Sequence, residues 1–123
     1  MSVGLRTLTV GVAAALGAPG WDSVTEPGTL YGEIRGADSA VLLAYVHSPG
    51  RGQERVEWSG RYPKGPAGSD YGPRERTMIT VAASRSPEAH AAEVRRRLLP
   101  DYLPKLTEAL LRGGEAVRAR AAA

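Results

Sequence analysis

The stretch from Ser84 to Arg112, SRSPEAHAAEVRRRLLPDYLPKLTEALLR, constrains the fold more than any other part of the chain. Ser86, Pro87 and Glu88 open it as a helix. A serine oxygen accepts from the unpaired amides of a first turn, proline there loses no bond, and an early carboxylate faces the positive end of the dipole. Around Leu98, the residues Ala91, Val94, Tyr102, Lys105, Leu106 and Ala109 fall within about 80° at 100° per residue, and Arg96 points away. A helix with one apolar face has to lie on something, and what precedes it reads as a sheet. Pro100 and Pro104 each remove an amide donor and crowd the preceding turn, so the spacing predicts one long helix kinked near Leu99.

At 123 residues the chain is long enough for one domain with a sizeable core. Cysteine is absent, which excludes disulfides and thiolate metal sites and fits a cytoplasmic setting. Phenylalanine is absent as well, so Trp21, Trp58 and the five tyrosines must be the large anchors. Arginine outnumbers lysine 14 to 2 among abundant alanine and glycine, the codon bias of a GC-rich bacterial genome. Net charge is +3, with the basic surplus in the second half: residues 1–50 carry two arginines against four acids, residues 51–123 fourteen basic groups against nine acids. No apolar run reaches the roughly 18 residues that a spanning helix needs, so no membrane partner is expected. Arg6 followed by TLTVGVAAALGA imitates a secretion signal, but it has a single charge, Pro19 sits badly for cleavage, and the fold has a use for the segment.

That use is a first helix. Leu5, Leu8, Val12, Ala15 and Leu16 recur at three- and four-residue spacing and Gly17 follows as a stop, which predicts a helix over 4–16. The alternation of Leu8, Val10 and Val12 is the rival, a strand. Turns at 18–21 and 26–28 set Trp21 against the core edge. Four strands follow. In TLYGEIRG, Leu30, Gly32 and Ile34 alternate with Tyr31, Glu33 and Arg35; GlyAlaAspSer at 36–39 reverses the chain; AVLLAYVH at 40–47 is apolar on both sides and reads as central. Val56, Trp58, Gly60 and Tyr62 then alternate with Arg55, Glu57, Ser59 and Arg61, and RTMITVAAS at 76–84 leads into the last helix. Between them PKGPAGSDYGP, 63–73, reads as a loop.

The sum is a small α+β domain over 1–112: a helix, a four-stranded antiparallel sheet and a long kinked C-terminal helix, both helices on one sheet face. Residues 113–123, opening with a Gly-Gly stop, are expected to be a frayed tail or a short extra helix. The opposite face should carry Tyr31, Glu33, Arg35, Arg55, Glu57 and Arg61 toward solvent or a partner.

Chemistry is scarce. His90 and Glu93 stand at a metal-compatible spacing but have no second histidine, and His47 lies in a strand end, so no metal or cofactor site is expected. Lys64 in GRYPKGPAGS lacks the GlyLysSer or GlyLysThr of a phosphate loop. No nucleophile elbow is present and there is no cysteine, which leaves a non-catalytic binding domain. Its contacts are expected to be with another protein or a second copy of itself, through tryptophan and tyrosine anchors and free sheet edges. The alternative is nucleic acid: Arg55, Arg61, Lys64, Arg74 and Arg76 supply cations, with Tyr62 and Tyr71 between them as stacking rings. Arg95, Arg96 and Arg97 form a second basic group.

Read without its first strand, the order helix, three strands, helix is similar in topology to the double-stranded-RNA-binding domain. The resemblance implies phosphate contacts at the entry to the last helix, where SRSPEAHAA offers Arg85 and then Glu88.

Overall fold

Alternating strands closed by tight reversals build one antiparallel sheet, and the two amphipathic segments at either end cover one side of it. The computed structural model describes residues 4–17, 20–26, 30–47, 54–63, 72–73 and 76–122. In order these form α1 (Leu5–Gly17), β1 (Asp22–Ser23), β2 (Tyr31–Arg35), β3 (Val41–His47), β4 (Arg55–Arg61), β5 (Met78–Ala82), α2 (Pro87–Glu93), a π-helical turn (Val94–Leu98) and α3 (Leu99–Ala122). The sheet is a plain meander in the order β1-β2-β3-β4-β5, so β3 is central, as its two-sided apolar pattern implies. The architecture is the α+β one expected, with five strands instead of four. The extra strand is only two residues long, too short to show an alternation. Its width also departs from the three-stranded order on which the similarity to double-stranded-RNA-binding domains depends.

One face is the core. Ile34, Leu42, Ala44, Val56, Trp58, Ile79 and Val81 point into it and meet Leu8, Val12 and Ala13 of α1 and Ala91, Val94, Leu98, Tyr102, Leu106 and Ala109 of the C-terminal helices. Close approach is secured by small residues: a Cβ on Gly11 would sit 2.6 Å from the Pro87 ring, and one on Gly60 would sit 2.2 Å from the Tyr102 ring. Tyr102 lies on β4 there, and its hydroxyl donates to the Arg61 carbonyl at 2.7 Å while accepting from the Val41 amide at 3.0 Å. The short β1 is tied to α1 by hydroxyls. Thr9 Oγ1, fully buried, stands 2.8 Å from both Ser23 Oγ and Thr25 Oγ1, satisfying polar groups that burial would otherwise penalise.

The C-terminal helix begins as its sequence says. Ser86 Oγ accepts from the Ala89 amide at 3.2 Å, with Pro87 in the first turn. The break expected near Leu99 takes the form of a π-helical turn, the Leu99 amide bonding to the Val94 carbonyl. Two causes meet there. The buried positions Val94, Leu98, Tyr102 and Leu106 are three successive four-residue steps, which would drift about 120° round a straight α-helix, and a wider turn takes up part of that drift. Pro100 also has no amide to donate and crowds the carbonyl four residues before it. Gly113 and Gly114 do not stop the helix: α3 continues through them to Ala122, where a frayed tail or separate helix was expected. The residues that follow are mostly alanine, arginine and glutamate, which favour helix. Among the described residues no helix is long and apolar enough to cross a membrane.

Candidate functional site

Residues directly opposite one another on antiparallel strands point to the same side, so the register assigns the uncovered face. Tyr31, Tyr45, Glu57 and Thr80 form one row across the sheet, Glu33, Leu43, Ser59 and Met78 the next, and Asp22, Arg35, Val41 and Arg61 the last. His47 and Arg55 lie beyond the tyrosine row. This is the face the alternation predicted to be polar, and its margins are: three acids, Asp22, Glu33 and Glu57, stand among three arginines, Arg35, Arg55 and Arg61. Its middle is apolar. The rings of Tyr31 and Tyr45 are 5.8 Å apart at 38° and each is more than a third exposed, while Met78 is 58% exposed. Leu43 lies half-buried between them, and Val41 half-buried in the next row. A polar recess of about 300 Å3, lined by Thr25, Tyr31, Glu33 and Arg35 among others, opens beside the pair.

Charge on this face is largely engaged. Glu33, expected in solvent, is 7% exposed. Arg35 Nε closes on its carboxylate at 2.7 Å, and Arg61 reaches it from two strands away at 3.9 Å, so the burial of one carboxylate is offset by two cations. Arg55 donates to the Thr80 hydroxyl at 3.0 Å and the Thr80 carbonyl at 3.1 Å.

The seven residues proposed as contacts therefore separate. Arg55 and Arg61 are on the open face. Tyr62 is not: it is 3% exposed and packs edge-on against Tyr102 with ring centroids 5.3 Å apart. Arg76 lies 5.6 Å over the Tyr62 ring, on the covered side of the sheet. Burial, and then the Asp101 charge, raise the Tyr62 pKa. Its place was visible in its own alternation with Val56, Trp58 and Gly60. Lys64, Tyr71 and Arg74 lie outside the described residues, as does most of the loop that carries them. The second basic group is occupied locally. Arg95 caps the end of α1 by donating to the Ala15 carbonyl at 2.8 Å, and Arg96 and Arg97 pair with Glu93 at 2.7 and 3.5 Å. The Arg96 hydrogen bond is the main reason the Glu93 carboxyl titrates below its usual range.

His90, noted in the sequence only for its spacing to Glu93, belongs to the core. It is fully buried, and its Nδ1 accepts from Trp58 Nε1 at 3.1 Å. The acceptor role puts the proton of the neutral ring on Nε2. The Ala82 carbonyl favours a charged ring, yet no hydrogen bond of good geometry reaches Nε2, and burial lowers the pKa. His47 belongs to the opposite face, so the two histidines do not meet.

The residues that sequence reasoning missed are Tyr45, Leu43 and Met78. The reversal read at 36–39 misses the register by one residue: it would set Tyr31 opposite Ala44, whereas the Gly36 amide donates to the Ala40 carbonyl around 37–39 and sets Tyr31 opposite Tyr45. Comparison with protein-family models, curated proteins and solved structures gives no match.

Proposed function

We propose that the chain is a protein-binding domain that meets its partner through the open sheet face, with Tyr31 and Tyr45 as central anchors. The tyrosine pair carries this reading. Two large rings stand exposed side by side on adjacent inner strands, and interfaces take most of their binding energy from such aromatic anchors at the centre of a patch. The rim decides the class of partner. Equal numbers of acids and arginines give no net attraction for a polyanion, whereas they match a protein surface of mixed charge and fix its register. The loss of Tyr62 to the core and the engagement of Arg55 and Arg61 weaken the nucleic-acid alternative further.

A photoreactive benzoylphenylalanine at position 45, in cells that make the protein, tests this. A discrete protein adduct is expected from position 45, lost when Tyr31→Ser is added, and none from the same group at Glu88 on α2. Equal labelling from both positions would overturn the reading. So would salt-sensitive capture of a single-stranded oligonucleotide that depends on Tyr31.

A further inference from the structure

The charges of the open face identify the side chain that its central anchors receive, an inference that rests on the protein-binding reading. The arginines there are held. Arg35 and Arg61 both turn to Glu33, and Arg55 donates twice to Thr80 on β5, which draws its guanidinium away from the rings on β2 and β3. Two acids are not held: among the described residues, Asp22 and Glu57 make no ion pair and no side-chain hydrogen bond. Asp22 stands exposed on the short edge strand. Glu57 is half-buried on the inner strand β4, directly opposite Tyr45.

That position makes the Glu57 carboxylate more than a rim charge. Side chains directly opposite across an antiparallel pair have Cβ atoms about 4.5–5.5 Å apart, so Glu57 flanks the Tyr45 ring. Tyr31 follows in the same row, its centroid 5.8 Å from that of Tyr45. An aromatic face attracts a cation within about 6 Å of its centroid, a reach that matches the spacing of the rings. A cation seated over Tyr45 is therefore within reach of both rings and of the carboxylate. Half-burial of Glu57 leaves such a pair less screened than one in open water. The recess at the other end of the row sets Arg35 beside Glu26 and Glu33 and offers a cation no comparable unopposed charge.

We propose that an arginine of the partner protein lies along this row, its guanidinium stacked on Tyr45, bordered by Tyr31 and paired with Glu57. Arginine fits better than lysine. Two rings tilted by 38° on an open sheet make a shelf, not a closed cage, and a planar guanidinium can stack on a shelf while giving two parallel N–H groups to one carboxylate. The nearest competing cation is Arg55, two residues before Glu57, and it leans toward β5. His47 lies opposite Arg55, beyond the row.

Acetyl-arginine amide tests the site without the partner. Followed by NMR in the full chain, the Tyr31 and Tyr45 resonances should shift saturably with a Kd in the millimolar range. The initial slope should fall about tenfold in Glu57→Gln. It should stay within about twofold in Asp22→Asn, which removes an equal charge from a more distant and exposed point of the same face. The neutral isostere acetyl-citrulline amide should give no shift and acetyl-lysine amide a smaller one. Urea midpoints should agree among the three proteins, since neither acid has a partner to lose. In cells, benzoylphenylalanine at Met78 keeps both rings in place, and its protein adduct should drop about tenfold in Glu57→Gln and persist in Asp22→Asn. No shift, equal shifts from the arginine amide and either analogue, or an equal fall in Asp22→Asn and Glu57→Gln would overturn the proposal. An adduct undiminished in Glu57→Gln would overturn it too and leave the protein-binding reading standing, whereas no adduct from position 45 or 78 removes that reading and the proposal with it.

Discussion

On the covered side of the sheet, strand residues that point inward meet side chains from α1, α2 or α3, and the polar atoms among them are answered: Trp58 by His90, Tyr102 by the backbone of two strands, Thr9 by two hydroxyls. On the open side the same strands present Tyr31, Leu43, Tyr45 and Met78 with no helix among the described residues above them, and the acids and arginines round them pair laterally along the surface. The backbone and the alternation are common to both. What differs is whether the chain completes the layer itself, and that separates stability from recognition: substitutions beneath the helices should unfold the domain, and those on the open face should spare it and cost binding.

The sharpest way to break the contrast is Trp58→Ala. It empties the largest fully buried site and leaves the His90 ring without its donor, so urea unfolding should show a loss of about 3–5 kcal/mol. A loss under about 1 kcal/mol would mean that the covered face is not the core. Tyr102→Phe follows. The ring volume is retained, but the Val41 amide and the Arg61 carbonyl both lose their side-chain partner, which should cost about 2 kcal/mol.

The covered face was also the more legible one. Serine, proline and glutamate at 86–88 mark a helix start by local chemistry, and the apolar positions from Ala91 to Ala109 were identified by their angle because their burial depends on spacing; Lys105, placed on the same stripe, stays partly exposed and pairs with Asp101. Legibility failed where a neighbour distant in sequence decides the outcome. Glu33 has the charge of a surface residue and is buried because Arg61, 28 positions later, closes over it. The π-helical turn answers a drift in the buried stripe together with a proline, and neither alone specifies it. Tyr62 was assigned by its basic neighbours when its strand parity with Trp58 put it in the core. The open face was drawn correctly in outline, as a mixed-charge surface. Its apolar centre was missed because the two-sided apolar pattern of β3 was taken only as the mark of a central strand, and what Leu43 and Tyr45 do on the open side was not asked.

Acid should reach the covered face first through His90. Its pKa in the folded protein is below the ordinary 6.5, chiefly because the ring is buried, with the Arg85 charge acting in the same direction. Between the folded and unfolded values the unfolded chain binds the extra proton. Stability is therefore complete above about pH 6.5 and falls as pH drops below it, by up to about 1.4 kcal/mol per pH unit. Protonation also turns Nδ1 from an acceptor into a donor facing the Trp58 donor. Urea midpoints measured from pH 7.5 to 5 should slope in the native protein and be nearly flat in His90→Gln over that interval. The carboxyls of Glu93 and Asp101 titrate below their usual range and act only at lower pH. Equal slopes in both proteins would show that the pair does not hold the ring neutral.

The smallest effect on stability belongs to the tyrosine pair, and it sharpens the comparison most. Tyr31 and Tyr45 are cross-strand neighbours whose rings touch at an angle with water on one side. Such a pair adds about 0.5–1 kcal/mol beyond two alanines, so each single alanine substitution should lower stability by less than about 1 kcal/mol, and a double-mutant cycle should return a coupling within that range. Binding should respond differently. An anchor at the centre of an interface costs at least about 2 kcal/mol when truncated, roughly thirtyfold in Kd, and the adduct formed from position 45 should fall to background in Tyr31→Ala. A coupling well above 1 kcal/mol with no change in the adduct would make the open face a second structural layer. A small coupling with the adduct lost leaves recognition as the reason for two exposed rings on the inner strands of the sheet.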